Sequence, residues 1–444
     1  MERNNTIAVI GLGHIGLPIV AAFANSGNYV FGIDIDEGRI RQLQETYESD
    51  FYEPGLDEML KQCKDRIKFS VDYEYVSECG AILITVGTPL KDDKTPNYDY
   101  LAGAMQIGKY IKRGCIIILK STVTPGTTEH YVIPKLEELS GLRAGHDFHI
   151  AFCPERVIEG LALHELVTLP KIIGGIDSES TGRAASILGQ LDGKIIKVSS
   201  SRVAELCKLV DNTYRTMNIT FANEIGMLCE RVGIDAYEVV SAVNNSYSRT
   251  QLFKPGLGAD GPCLPKDCQI FKGYARENNV NLPIMDACSV SSEYSTLRIE
   301  AMVAHFIETH RIERPGLSIV GLSFKGNPQT DDIRESAATK IYDIFSQSVY
   351  FDKLSFKFYD PIVRSFFGNA VCQTLDECVQ TANVVMFLTD NPQLMNLDAH
   401  SILELAGRPL LLIDCWHNLR NIEAMNEGEN IEIFQIGSGW IKKP

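Results

Sequence analysis

The chain alternates short, wholly apolar runs with longer stretches in which apolar residues recur every three or four positions. Thr6 to Ile10, Tyr29 to Ile33, Ala81 to Val86, Cys115 to Lys120 and His149 to Phe152 are runs of the first kind, rich in β-branched residues. Apolar runs this short, without polar alternation, fit parallel strands covered on both faces. Between the first two, LPIVAAFANSG reads as a helix stopped by Gly27, and a polar helix is expected around Glu53 to Lys64. From Arg202 to Arg231 the rhythm turns helical, with no proline and a single glycine. Val203, Leu206, Val210, Tyr214, Met217 and Phe221 fall on one stripe of that helix, which is long enough to bridge two domains. Tyr237 to Val243 reads as a further helix. The last third repeats the first: Leu317 to Gly321, Lys357 to Tyr359, Asn383 to Leu388 and Leu410 to Ile413 are strands, and TLDECVQTANVVMFLT parallels YEYVSECGAILITVGT. The expected fold is α/β, with two Rossmann-like doubly wound domains joined by a long central helix and a helical segment. The expected domains are 1–198, 199–308 and 309–444, with short polar linkers near 196–201 and 310–316.

A length of 444 residues supports two or three domains. The formal net charge of −15 gives no basic field for a phosphate backbone, so nucleic acid is not an expected partner. No stretch has the length and apolarity of a membrane span, and the first residues run straight into a strand rather than reading as a signal peptide. The twelve cysteines are scattered, with no Cys-x-x-Cys pair, which points to the reducing cytoplasm. Cys263 and Cys268 are too isolated from other ligand types to make a zinc site, and no metal is expected.

The first strand ends in Gly11-Leu12-Gly13-His14-Ile15-Gly16, and the second in Asp34. Strand, glycine-rich turn, helix, strand and acid together form the dinucleotide fingerprint. The glycines let backbone N–H groups approach a pyrophosphate at the helix N-terminus, and Asp34 can take the ribose hydroxyls. Asp34 with Asp36 would repel a 2′-phosphate, which favours NAD over NADP; Arg39 could stack on the adenine. His14 reads as a spacer in the turn rather than a base. Thr88, Ser121, Thr122, Glu155 and Glu159 all sit at carboxyl ends of strands, where doubly wound sheets bind ligands. Singly each could be a cap or turn residue; together they surround one cleft.

The stretch Arg249 to Asp267, RTQLFKPGLGADGPCLPKD, is too rich in Gly and Pro for a regular helix or central strand and reads as a tight loop. Cys263 lies in it, followed by Lys266 and Asp267. A thiol beside a cation can be held as thiolate and act as a nucleophile; a small buried Cys in a structural turn is the plain alternative. Lys208, Asn212 and Arg215 are at helical spacing and project near one another, as a solvated face would also do. The loop SFKGNPQTDDIRES in the last third carries Lys325 and Arg334, suited to a second anionic ligand. NAD plus a thiol suggests oxidation of an aldehyde to an acid through a thiohemiacetal and a thioester.

The motifs VIGLGHIGLP, VGTP, STVTPGTT, CPERVIEG, KLVDNTYRTMNITFANE, PGLGADGPCLPKD and GLSFKGNPQTDDIRES occur in one order along nearly the whole chain. In this the sequence resembles the UDP-glucose/GDP-mannose dehydrogenase family. NTYR and GPCLPKD look more like the branch acting on UDP-N-acetylhexosamines. Asp260 stands where the family generally has Gly. The resemblance implies four-electron oxidation of a sugar C6 alcohol to the carboxylate using two NAD. UDP-N-acetylmannosamine is the preferred substrate, with UDP-glucose, UDP-N-acetylglucosamine and GDP-mannose as alternatives. It implies Cys263 as nucleophile, Lys208 and Asn212 as oxyanion-stabilising residues, Glu155 as general base with Asp267 as partner, and Thr122 holding water or cofactor. Thr88, Ser121 and Glu159 would line the nicotinamide, while Arg334 and Lys266 would reach cofactor phosphate. The UDP-sugar would meet Arg156, Val157, Arg215, Gly256, Phe324 and Lys325, with Arg249 reaching it across a dimer interface. The central helix would form the core of a homodimer. Two remoter readings are a two-electron hydroxyacid-type dehydrogenase, which needs neither Cys263 nor a second Rossmann-like domain, and a non-enzymatic NAD-binding regulator, which needs no Cys263, Lys208 or Glu155.

Overall fold

A computed structural model describes residues 5–348, 351–422 and 430–442. The chain forms two compact units, Met1–Asn212 with Lys266–Asn281, and Thr213–Pro265 with Leu282–Pro444.

In the first unit, β1 (Thr6–Ile10), β2 (Tyr29–Ile33), β3 (Ile67–Ser70), β4 (Ala81–Ile84), β5 (Ile116–Leu119), β6 (His149–Phe152), β7 (Lys171–Gly175) and β8 (Ile195–Lys197) form one sheet. Its order is β3-β2-β1-β4-β5-β6-β7-β8, parallel from β3 to β6, with β7 antiparallel to β6. The wholly apolar runs arise because this sheet is covered twice. Along β1, Ile7 and Val9 enter one core with Leu17, Val20 and Phe23 of helix α1 (Gly16–Asn25), while Ala8 and Ile10 enter another with Ile117 and Phe152.

The second unit repeats the plan. Strands β9 (Gly316–Val320), β10 (Ser355–Tyr359), β11 (Val384–Phe387), β12 (Leu410–Asp414), β13 (Ile431–Gln435) and β14 (Gly439–Lys442) are ordered β10-β9-β11-β12-β13-β14, with only β14 antiparallel. The two expected Rossmann-like domains are present, and each strand named from sequence overlaps an observed one, while β3, β7, β8, β13 and β14 were not anticipated.

The expected central helix runs over Ser201–Val232 (α2), followed by α3 (Ala236–Asn244), α4 (Leu264–Glu277) and α5 (Pro283–Thr309). The start of α2 is fixed within the first unit by Glu205, fully buried, which accepts the amides of Gly126 (2.5 Å) and Thr128 (2.9 Å) and the Thr128 hydroxyl (2.6 Å). In the second unit, Glu230 near its end pairs with both terminal nitrogens of Arg298 on α5 (2.6 and 3.0 Å) and accepts the Gly437 amide. One expectation needs correction. The irregular loop ends at Cys263, not at Asp267, because α4 starts at Leu264. Pro265 begins this helix rather than breaking it, since a first-turn residue has no intrahelical N–H bond to lose.

Candidate active site

In the first unit the strand order reverses between β1 and β4, and their carboxyl ends flank the crevice where such sheets bind nucleotides. Gly11 leaves β1 with φ +94°, and its carbonyl accepts the Thr85 hydroxyl at 2.7 Å. A methyl at Gly16 would lie 1.8 Å from that carbonyl oxygen, so the turn can close only on glycine there. A methyl at Gly13 would meet nothing within 4 Å. That open backbone, at the N-terminus of α1, is what an approaching pyrophosphate requires. His14 stacks on Phe51 with ring centroids 4.2 Å apart, and Ile15 is half-buried. Asp34 accepts the Leu12 amide (2.6 Å) on one oxygen and the Asp36 amide (3.0 Å) on the other, which fixes the carboxylate beside the turn. Arg39 lies 3.8 Å from Asp34 but is held by Asp50 at 2.8 Å.

The second unit has the same turn in a closed form. Gly321 has φ +85°, and its amide donates to Tyr359 O, as Gly11 donates to Ile33 O. Asp360 occupies the position of Asp34, yet it is 1 % exposed and takes the amides of Leu322, Ser323, Ile362 and Val363. Its acceptor capacity is consumed internally, so this domain cannot offer that carboxylate to a ribose.

At the ends of β4 and β5, Thr88 donates to Thr122 O (2.6 Å) and Ser121 to Val86 O (2.6 Å). Both hydroxyl protons therefore hold the two loops together, and Thr122 is half-buried beside them. Beyond β6, Glu155 accepts the amides of Arg156 (2.8 Å) and Val157 (3.1 Å) on Oε1. Its buried Oε2 faces the Lys120 ammonium at 3.1 Å. Burial opposes the Glu155 charge, but Lys120 and the two amides override it and hold the carboxyl below the usual range. Burial likewise opposes the Lys120 charge, and Cys153 and Glu155 outweigh it, keeping the lysine above its usual range. Arg156 pairs with Asp211 of α2 at 2.9 Å. Glu53 fixes the far end of this loop by accepting the amides of Gly160 (2.7 Å) and Ala162 (2.8 Å), and leaves Glu159 half-buried between these anchors.

Asn212 of α2 donates to Asp267 of α4 at 2.6 Å, and Lys266 pairs with the other Asp267 oxygen at 2.5 Å; Asp267 has no solvent exposure. Lys208, one turn before Asn212, is half-buried, and Arg215 is exposed. Thus Asn212, Asp267 and Lys266 meet, as do Glu155, Lys120 and Arg156.

In the second unit, Cys263 is exposed, Lys325 donates to Pro328 O (2.7 Å) and lies over the Phe324 ring, and Arg334 is held by Asp332 (2.6 Å). Gly256 donates its amide to Asn223 and packs on Trp416. The Arg249 guanidinium lies 5.9 Å from the Tyr247 ring.

Sequence reasoning missed Lys120 and Glu53. Lys120 ends an apolar strand and reads as a solvated terminus; parallel pairing of β5 with β6 is what delivers Cys153 and Glu155 against it. Glu53 acts across 107 residues, with no local signal.

A carboxylate fixed beside an open glycine turn at a topological switch point defines a dinucleotide-binding domain of the Rossmann class. Comparison with known proteins narrows this. Residues 5–192 match the NAD binding domain of the UDP-glucose/GDP-mannose dehydrogenase family, 202–293 its central domain and 318–421 its UDP binding domain. The UDP-N-acetyl-D-mannosamine dehydrogenase of Pyrococcus horikoshii is 32 % identical over 401 residues, covering 89 % of this chain and 92 % of the relative. The Escherichia coli enzyme of the same name is 31 % identical, covering 89 % and 96 %. Among solved structures, that of the P. horikoshii UDP-D-ManNAc dehydrogenase aligns with a TM-score of 0.86 at 30 % identity, covering 98 % of this chain and 99 % of that one. A UDP-N-acetyl-mannosamine dehydrogenase from Staphylococcus aureus aligns with a TM-score of 0.81 at 28 % identity, covering 98 % and 99 %. The chain belongs to the UDP-glucose/GDP-mannose dehydrogenase family.

Proposed function

We propose that this protein oxidises the C6 alcohol of UDP-N-acetyl-D-mannosamine to a carboxylate in two successive NAD-dependent steps, with Cys263 holding the sugar between them. The alcohol, one water and two NAD yield the carboxylate, two NADH and three protons. NAD supplies the hydride acceptor in each oxidation. The Cys263 sulfur adds to the aldehyde carbon to give a thiohemiacetal, whose oxidation leaves a thioester. Water then cleaves the C–S bond and returns the thiol.

The observation that carries the covalent part is exposure. Of the twelve cysteines Cys263 alone is exposed; nine are buried and two half-buried. It also immediately precedes α4, where a helix N-terminus favours an anionic sulfur. Lys208 and Asn212 stabilise the oxyanions at C6, with Asn212 oriented by Asp267. Glu155, kept ionised by Lys120, accepts a proton or orients water rather than donating. The substrate assignment is supported by the relatives named for that sugar nucleotide and by the match to the family's UDP binding domain.

The working form in this reading is a homodimer built on α2. Val203, Leu206, Val210, Tyr214 and Phe221 are each at least 36 % exposed, and Val290, Tyr294 and Leu297 make a second exposed apolar stripe on α5. Apolar stripes of this extent are interaction surfaces more often than solvent faces. A cytoplasmic setting fits twelve cysteines none of which is in a disulfide, and no helix among the described residues is long and apolar enough to cross a membrane.

The test is Cys263→Ser supplied with NAD and UDP-N-acetylmannosamine. NAD binding should persist, while uronate formation should fall by at least about a thousandfold, the scale of losing a covalent nucleophile. Uronate formation at the unmodified rate would remove Cys263 from the chemistry.

A further inference from the structure

Asp260, three residues before Cys263, has a charged partner within the second unit. Asp260 Oδ1 lies 2.7 Å from the ammonium of Lys340, and both side chains are largely shielded, at 13 % and 26 % exposure. Lys340 is the fourth residue of helix α6 (Ala337–Ser346), whose N-cap is Ser336. A cation in a first turn sits at the wrong end of the helix dipole, so Lys340 is favourable there only with an anion beside it. The next residue is moored to the same segment. The Gly261 amide donates to Glu335 O at 3.0 Å. Its Cα hydrogen side closes on the Phe324 ring, where a methyl would come within 2.5 Å, and its φ of +88° already requires glycine. The loop carrying Cys263 is thus fixed at two consecutive residues to the segment 324–340, which holds Phe324 and Lys325.

We propose that the Asp260–Lys340 ion pair is a positioning device that couples the segment bearing Phe324 and Lys325 to the Cys263 loop and so sets the thiol against the sugar C6. Lys340 and Asp260 touch no reacting atom; they are positioning residues. The inference rests on Cys263 being the nucleophile. Displacement of a nucleophile by about 1 Å costs up to about a hundredfold in rate.

The experiment uses the full-length protein carrying Lys340→Met, Asp260→Asn, the conservative Lys340→Arg, and the charge swap Asp260→Lys with Lys340→Asp. Two readouts are taken: kcat and KM with UDP-N-acetylmannosamine and NAD, and the rate of Cys263 alkylation by iodoacetamide, followed on the Cys263 peptide by mass spectrometry. Lys340→Met and Asp260→Asn should each lower kcat about 10- to 100-fold, leave KM for NAD within about twofold, and lower the alkylation rate at least about threefold as the exposed thiol loses its fixed place before α4. Lys340→Arg and the charge swap should bring both readouts back to within about threefold, on the expectation that restoring the pair restores the geometry. Unchanged kcat, or an unchanged alkylation rate, in both single-site variants overturns the proposal. Alkylation needs no substrate, so this outcome is separable from failure of the nucleophile reading, which would appear as full uronate formation by Cys263→Ser.

Discussion

Lys120→Met replaces the cation paired with Glu155 with an uncharged side chain of similar reach. Glu155 Oε1 keeps its two amides, but Oε2 loses the ammonium 3.1 Å away inside a site where Lys120 is 5 % and Glu155 13 % exposed. Removing one partner of a buried pair costs about 3–5 kcal/mol. At about 2–4 °C per kcal/mol for a unit of this size, the melting temperature should fall by roughly 6–20 °C. The pH dependence is the sharper signature. In the unaltered protein Glu155 titrates below its ordinary value of 4.5, so its contribution is present above that value and is lost as pH falls through the lowered one. Lys120 titrates above its ordinary 10.5, so its contribution is present below that value and is lost only as pH rises through the raised one. Between about pH 5 and 9 the pair therefore contributes a constant stability. Without Lys120, burial is left to push Glu155 upward, the folded state then holds the extra proton, and stability should fall as pH rises from 5 to 8. Thermal unfolding at the two pH values reads this directly. Lys120→Met with Glu155→Gln should lose less than Lys120→Met alone at pH 8, since no bare charge stays buried. A Lys120→Met protein melting within about 2 °C of the unaltered one at both pH values would refute the argument.

Other consequences follow from the same geometry. Gly13→Ala should fold normally and bind NAD at least about tenfold more weakly, because its methyl enters open space at the pyrophosphate approach, whereas Gly16→Ala should lower the melting temperature by steric conflict with Gly11 O; equal melting and equal NAD affinity in the pair would contradict both. Asp34→Ala should weaken NAD and narrow its preference over NADP, read as the ratio of kcat/KM for the two cofactors. Tyr214→Glu with Val210→Glu should shift sedimentation from dimer to monomer, and an unaltered sedimentation coefficient would move the interface away from α2.

Much of the fold was legible because its central strands are covered on both faces and so appear as unbroken apolar runs. Others were not. Ile67–Ser70 alternates buried and exposed positions, Ile195–Lys197 is half-exposed, and the interior strand Ile431–Gln435 carries Glu432 and Gln435, so none forms an unbroken apolar run. Helix α5 escaped for the opposite reason: with Ile299, Val303 and Phe306 buried and Val290, Tyr294 and Leu297 exposed, both faces are apolar and the amphipathic period fades. In the site, the glycine turn and Asp34 announced themselves by local spacing, Asn212 shared a helical spacing that a solvated face would also show, and Asp267 entered through the family resemblance. Lys120, Glu53 and Lys340 did not, since each acquires its meaning from a partner far along the chain.

The proposed chemistry is two oxidations on one sugar. With limiting UDP-N-acetylmannosamine and excess NAD, two NADH should form for each sugar nucleotide consumed, with uronate as the product. One NADH per sugar, with aldehyde released, would contradict it and take Cys263 out of the reaction.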